Sequence, residues 1–193
     1  MPDIGPDVIL NNPAYVHPSA LLYGKVRIEE HASIWCNVVA RAEMYEITVG
    51  PYTNIQDFVM LHVGGSTPTI IGAHCSITHH CTIHGATIGD NCLIGINCTI
   101  MDGAVIGKNC IVAGHTIVTE NTVIPDNSVV MGSPGKVRRT QNNFVRNRMN
   151  ARLYYENALA YARGDYRRWS DPAFSAGLAA EIERLQAEPD AQG

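Results

Sequence analysis

The sequence lacks the features by which nucleic-acid-binding and membrane proteins are usually known. Its 193 residues carry a formal net charge of -4 at pH 7, so no general basic field is available for nucleic acid or an anionic membrane surface. No apolar run approaches the roughly 20 residues that span a bilayer. No basic start precedes an apolar run at the N-terminus. We therefore expect a cytoplasmic protein with neither nucleic-acid nor membrane partners.

The six cysteines lack the CxxC spacing of zinc ribbons and redox motifs. Cys75 and Cys81 are six residues apart, as are Cys92 and Cys98, and Cys110 falls twelve residues after Cys98. A cysteine that follows a structural repeat behaves as a small, weakly polar side chain. We expect reduced, inward-facing thiols without disulfide or metal roles.

The sequence does have a strong period of six. From Val16 to Val130 an aliphatic or small residue returns at every sixth position, with three irregular steps. Neither a helix of period 3.6 nor an alternating strand produces this spacing, whereas a coil with flat faces of six residues does. Glycine, asparagine and aspartate recur beside these positions and suit the corners. The pattern predicts an all-β solenoid, a parallel β-helix of hexapeptide repeats with six to seven turns. The repeat positions are Val16, Leu22, Ile28, Ile34, Ala40, Val49, Ile55, Leu61, Ile71, Ile77, Ile83, Ile88, Ile94, Ile100, Ile106, Val112, Val118, Ile124 and Val130.

Two longer interruptions predict loops that leave the solenoid. Nine residues separate Ala40 from Val49, and ten separate Leu61 from Ile71. In a rigid repeat protein such excursions are common places for function. Residues 41–46 and 62–69 are therefore expected to flank the functional site.

The repeat stops after residue 135, which divides the chain into a β-helix domain at 1–135 and a helical segment at 136–193 that packs on it. The first helix is expected from Arg138 to about Gly164. The second is expected to begin at Asp171-Pro172 with an aspartate cap and proline in its first turn. Its expected buried face contains Phe174, Leu178, Ile182 and Leu185.

Three histidines near the second interruption could hold one metal ion. A catalytic zinc site typically has three protein ligands, and neutral imidazoles suit zinc, cobalt or ferrous iron. At eighteen residues per turn, His62 and His79 are expected to stack on successive turns, whereas His84 begins the next face. A neighbouring chain would then have to complete the site.

The alternative is that all eight histidines are ordinary polar or turn residues. That interpretation is sufficient for His17, His31, His74, His80 and His115. For the other three, spacing alone leaves both interpretations open.

Over residues 12–160 the chain resembles gamma-class carbonic anhydrases and their bacterial homologues. The matching motifs occur in the family's order. They are Arg41-Ala42-Glu43, Val49-Gly50, Thr53-Asn54-Ile55-Gln56-Asp57, Leu61-His62-Val63, Ile77-Thr78-His79 with His84-Gly85, and Gly132-Ser133-Pro134-Gly135-Lys136.

The resemblance implies a metalloenzyme that hydrates carbon dioxide to bicarbonate. It also implies a left-handed β-helix and a homotrimer with metal sites at the subunit interfaces. The implied ligands are His62, His79 and His84, one of them from the adjacent subunit. The implied metal is Zn²⁺, with Fe²⁺ or Co²⁺ as alternatives.

The resemblance assigns roles to five further residues. Arg41 and Asp57 match an ion pair across the trimer interface, and Gln56 matches the residue that orients the nucleophile. Tyr154 matches a helix tyrosine near the site. Glu43, where the family usually has aspartate, would accept a proton or support the ligands.

Two departures from the family pattern leave other functions open. Arg41-Ala42-Glu43 replaces the commoner Arg-Gly-Asp, and the loop from His62 to Ile71 has no acidic residue. One alternative is a metal-dependent hydrolase or lyase that uses the same site on a small organic or acyl-thioester substrate. Others are a hexapeptide acyltransferase and a metal-bearing structural subunit.

Overall fold

The computed structural model describes residues 2–191 and confirms the predicted parallel β-helix, with about seven turns. Met1 of the predicted β-helix domain, and Gln192 and Gly193 of the predicted helical segment, lie outside the described residues. The strands are β1 Asp3–Ile4, β2 Ile9–Leu10, β3 Tyr15–Val16, β4 Leu21–Ile28, β5 Ser33–Ile34, β6 Val39–Val49, β7 Asn54–Ile55, β8 Met60–His62, β9 Thr69–Ile71, β10 Ser76–Ile77, β11 Thr82–His84, β12 Thr87–Ile88, β13 Leu93–Ile94, β14 Thr99–Ile100, β15 Val105–Ile106, β16 Ile111–Val112, β17 Ile117–Val118, β18 Val123–Ile124, β19 Ser128–Met131 and β20 Lys136–Thr140.

The strands stack in parallel to form three flat faces. One face runs β3-β5-β7-β10-β13-β16-β19, and the other two branch from the long strand β6 as β6-β8-β11-β14-β17 and β6-β9-β12-β15-β18. Each repeat residue lies over its equivalent in the next turn, as in the column Ile34, Ile55, Ile77 and Ile94. All predicted repeat positions are buried except Val16, which is half-buried against the same core.

Four of the eight histidines lie at corners of the solenoid. His31, His74, His80 and His115 all have φ between 56° and 62°, in the left-handed region that histidine and asparagine enter more readily than most residues. The fifth, His17, bonds through Nδ1 to Ser19 Oγ at 2.8 Å. These contacts support the interpretation of all five as ordinary polar or turn residues.

The cysteines also have the predicted structural role. All six are free thiols, and all except Cys36 are buried. Several donate to carbonyl oxygens at the corner of the next turn, such as Cys92 Sγ to Gly107 O at 3.0 Å. The thiols therefore fill the core and hold successive corners together.

The C-terminal region begins differently from the prediction. Lys136–Thr140 form β20, which pairs antiparallel with β19, and helix α1 spans Phe144–Tyr161 rather than starting at Arg138. The last solenoid turn presents an unpaired strand edge, and β20 covers it before the helix begins. Helix α1 then returns along the solenoid, where Asn147 Nδ2 donates to Asn91 O at 2.9 Å.

The second helix, α2, spans Pro172–Gln186, and Asp171 caps it as predicted by accepting from the Ala173 N–H at 2.9 Å. A short 3₁₀ turn at Arg168–Ser170 precedes it, and another follows at Pro189–Ala191. The expected buried face was wrong in part: Leu185 is buried, but Ile182 is 37% exposed. The helix packs mainly on α1 and the preceding 3₁₀ turn, so less of its surface is covered. Between residues 2 and 191, no helix is long and apolar enough to cross a membrane.

His74 is expected to make the fold sensitive to acid. Burial, with a smaller contribution from Arg148, lowers its pKa from 6.5 to about 4. The unfolded chain therefore binds more protons below pH 6.5, and the free energy of unfolding should fall by about 2 kcal/mol between pH 6.5 and 4, after allowance for solvent screening. Urea unfolding across this range measures the slope.

The variant His74→Asn should lose this part of the pH dependence. Asparagine fits the backbone there, because Asn91 and Asn109 occupy equivalent corners with positive φ in later turns. His80→Asn at another left-handed corner is the matched control and should keep the parental slope. An unchanged slope in His74→Asn would contradict the assignment.

Candidate metal centre

His62 and His84 form a pair on one corner of the solenoid. They end β8 and β11, which place them directly opposite each other, and His62 Nδ1 lies 3.0 Å from His84 Nε2. The prediction that His62 stacks with His79 was therefore wrong. It counted eighteen residues per turn, whereas the inserted loop after His62 makes the separation between the paired histidines 22 residues.

His79 lies at the opposite end of the same face. It lies in the turn before β11, whereas His84 ends that strand. Its Nδ1 contacts Asp57 Oδ2 at 3.0 Å. Between residues 2 and 191, no three histidine, cysteine, aspartate or glutamate side chains form a group that could hold a metal ion.

The Arg41–Glu46 excursion is a strand rather than a free loop, and it carries two of the predicted site residues. Residues 41–46 belong to β6, because the neighbouring strand β4 also extends past the corner and pairs with them, Gly24 opposite Ala42. Gly24 has φ +77°, and a Cβ there would lie 2.1 Å from Ala42 O. The close approach of these two backbones therefore requires glycine and fixes the strand that presents Arg41 and Glu43.

Glu43 joins the His62 corner. Its Oε2 lies 3.1 Å from His62 Nε2, and its Oε1 accepts from Arg41 Nη1. Burial acts to raise the pKa of Glu43, but its own backbone N–H, Arg41 and His62 outweigh this effect and hold the pKa below its usual value. Arg41 is thus paired with Glu43 and lies at the corner opposite Asp57, so the two do not meet within one chain.

Gln56 and Tyr154 belong to the His79 corner. Gln56 is 1% exposed, and its Nε2 donates to Asn54 Oδ1 at 2.9 Å. Tyr154, on α1, lines a cavity with Asp57 and His79. Burial, followed by the nearby Asp57, raises the pKa of Tyr154 to about 12, so its hydroxyl stays protonated at neutral pH.

Asp102 is a residue that the sequence reasoning missed. Its Oδ1 contacts His84 Nδ1, and glycines leave room for it, since a Cβ on Gly85 or Gly64 would lie 2.6 or 2.9 Å from that oxygen. With an N–H assigned to Nδ1, the His84 Nε2 lone pair faces His62. Asp102 lies one turn after His84 and next to Gly103, whose N–H donates to Gly85 O. This one-turn spacing was the signal that could have identified Asp102 from the sequence.

The donor set of the His62–His84 corner fits a divalent metal ion. Two nitrogens bound to one tetrahedral zinc ion lie roughly 3.3 Å apart, close to the 3.0 Å between His62 Nδ1 and His84 Nε2. A carboxylate on the second nitrogen of a ligating histidine is the usual support, and Asp102 provides it. Each chain thus has two of the predicted ligands at one corner and the third at another.

Comparison with known proteins agrees with the fold and the motifs. The model for the bacterial transferase hexapeptide (six repeats) matches residues 85–120. A probable carbonic anhydrase of Methanocaldococcus jannaschii is 46% identical over 144 residues, which cover 75% of this chain and 87% of the relative. Gamma carbonic anhydrase 1, mitochondrial, of Arabidopsis thaliana is 39% identical over 100 residues, which cover 49% of this chain and 36% of the plant protein.

Among solved structures, a hexapeptide transferase family protein from Anaplasma phagocytophilum superposes with a TM-score of 0.68 at 29% identity. The match covers 84% of this chain and 92% of that one. It shows that the solenoid is shared with proteins described as transferases. The archaeal match is the more specific, because its identity is 46% against 29% for the transferase structure, and it shows that this chain belongs to the gamma carbonic anhydrase-like family.

Proposed function

We propose that the protein is a metal-dependent lyase that hydrates carbon dioxide to bicarbonate at sites shared between neighbouring chains of a homotrimer. The observation that carries this proposal is the division of the three histidines, with His62 and His84 paired at one corner and His79 alone at the other. A neighbouring copy that brings its His79 to the pair completes a three-histidine set. We also expect the protein to act in the cytoplasm.

The metal would be held by His62 and His84 of one chain and His79 of the next. Zn²⁺ suits three imidazoles, with Fe²⁺ or Co²⁺ as alternatives. When bound, such an ion makes a nucleophile available at neutral pH by lowering the pKa of coordinated water to about 7.

The chain's own residues would position the reactants and move the proton. Hydration of carbon dioxide forms one carbon–oxygen bond and releases one proton. Glu43 contacts His62, and its side chain is 52% exposed, so it can receive that proton and pass it to solvent. Gln56 would orient the nucleophile, and Arg41 would pair with Asp57 of the neighbouring chain.

Stopped-flow hydration of carbon dioxide tests the proposal. We expect activity above background in protein loaded with zinc, cobalt or, without oxygen, ferrous iron. His62→Ala should lose both bound metal and activity, because one of the two paired imidazoles is gone. His31→Asn is the matched control, because His31 lies at the corner between β4 and β5, which carries none of the three histidines. No rate above background in any metal form would refute the proposal.

A hexapeptide acyltransferase is an alternative that rests on similarity of fold. Such an enzyme would transfer an acetyl group from acetyl-coenzyme A to an amine or hydroxyl acceptor, with release of coenzyme A, after the metal has been removed. Elemental analysis and an acetyl-transfer assay on chelator-treated protein distinguish the two functions.

A further inference from the structure

A cavity with aromatic walls lies beside His79, between the solenoid corner and α1. Its volume is ≈ 240 Å³, far more than the roughly 10–15 Å³ that one water needs. Trp35, Tyr154 and Trp169 form its walls, and Asn157 lies on the same lining. Trp169 belongs to the 3₁₀ turn that precedes α2. This turn follows the solenoid in the sequence.

Two polar groups in this cavity lack partners. Asn157 is only 8% exposed, and its amide makes no hydrogen bond to any described residue. The Tyr154 hydroxyl also has no hydrogen-bond partner between residues 2 and 191. Neither group is among the fully enclosed polar atoms between residues 2 and 191 that lack a partner, so both are open to the cavity and available to a molecule in it. Together they supply two kinds of donor, an amide N–H and a hydroxyl, and one amide oxygen as acceptor.

The walls offer apolar, flat surface. Trp35 Nε1 already donates to Ser33 Oγ at 3.1 Å, and Trp169 Nε1 donates to Leu153 O at 3.3 Å. Both indoles therefore present only their carbon surface to a ligand. The Tyr154 ring lies between them, with centroids 5.7 Å from Trp35 and 5.4 Å from Trp169.

The charges near the cavity do not favour an ionic ligand. Asp57 is the carboxylate on its lining, and it already contacts His79 at 3.0 Å. A cation would compete with that contact, and an anion would lie near the Asp57 charge without an arginine or lysine on the lining. An uncharged ligand avoids both costs.

We propose that this aromatic pocket binds an uncharged, planar organic carbonyl compound, with its flat body against the indoles of Trp35 and Trp169 and its carbonyl oxygen on Asn157 and Tyr154. The inference deepens the proposed function, because the pocket adjoins His79 and would admit a molecule larger than carbon dioxide. Binding itself requires no metal. The chemical class follows from the two donors and the apolar walls.

Tryptophan fluorescence provides a direct test, because the chain contains two tryptophans and both line the pocket. Metal-free protein is titrated with acetanilide, a neutral planar amide, and with propylbenzene, which has similar size and no carbonyl. We expect a saturable fluorescence change with acetanilide and at least about fivefold weaker binding of propylbenzene, the value of one hydrogen bond.

Variants identify the partners of the carbonyl group. Tyr154→Phe keeps the ring, and Asn157→Ala removes the amide; each should weaken acetanilide binding about fivefold. Tyr155→Phe is the matched control, since Tyr155 packs on Tyr52 away from the pocket, and it should bind as the parent does. Thermal unfolding confirms that each variant is folded.

No saturable change with acetanilide, equal affinity for propylbenzene, or parental affinity in both Tyr154→Phe and Asn157→Ala would each overturn the inference. The titration uses chelated protein, so its outcome does not depend on the metal site. Binding without carbon dioxide hydration in the metal-loaded protein would refute the proposed function and leave the pocket standing. Carbon dioxide hydration without acetanilide binding would support the proposed function and refute the inference about the pocket.

Discussion

Mixed trimers of His79→Ala and His84→Ala chains should regain about one third of their metal sites, although each variant alone has none. In the proposed ring of three chains, each site would take its paired histidines from one chain and His79 from the next. Any mixed ring contains one junction at which a chain with an intact pair meets a chain with an intact His79. Co-expression with two affinity tags and tandem purification isolates the mixed rings.

The matched control mixes His62→Ala with His84→Ala. These two histidines are 3.0 Å apart on one chain, so no junction in the mixed ring has an intact pair, and no site should return. Bound metal by elemental analysis and carbon dioxide hydration are measured on both mixtures. Recovery in the control would show that His62 and His84 act from different chains. No recovery in either mixture would show that the site is not shared.

Asp102→Asn should weaken metal binding by roughly 10- to 100-fold. With the N–H assigned to His84 Nδ1, the Asp102 carboxylate accepts from it, and the Nε2 lone pair is free for a metal ion. An amide can turn its own N–H groups toward Nδ1 and favour the opposite tautomer, which cannot bind metal through Nε2. Competition with a chelating dye gives the metal dissociation constant.

Asp126→Asn is the matched control for this prediction. Asp126 also supports a corner, where its Oδ1 accepts from the Lys108 N–H at 2.8 Å, but it has no histidine partner. We expect its metal affinity to equal that of the parent. If Asp102→Asn binds metal as tightly as Asp126→Asn at equal unfolding free energy, Asp102 has only a structural role.

The solenoid and its core could be predicted from the sequence because the repeat is local. Each residue such as Ile77 or Ile94 is buried by its equivalents in adjacent turns, so one period of six specifies the inward positions throughout. The N-terminal cap of α2 could be predicted for the same reason, since Asp171 accepts a hydrogen bond from an N–H two residues away. The start of α1 could not, because β20 pairs with the edge of β19, and that edge exists only once the solenoid has formed.

The sequence by itself identified the three histidines as candidate ligands and the family motifs, and it led us to expect a second chain at the site. Only the tertiary structure decided which histidines pair, because the loop after His62 lengthens one turn and shifts the register of every later residue against the earlier turns. It also decided that Asp102 meets His84 and that Trp169 reaches Tyr154. Asp102 lies 18 residues after His84, which is one regular turn, but only the structure shows that their side chains meet. Trp169 lies 15 residues after Tyr154 and outside the repeat, so the period says nothing about its position.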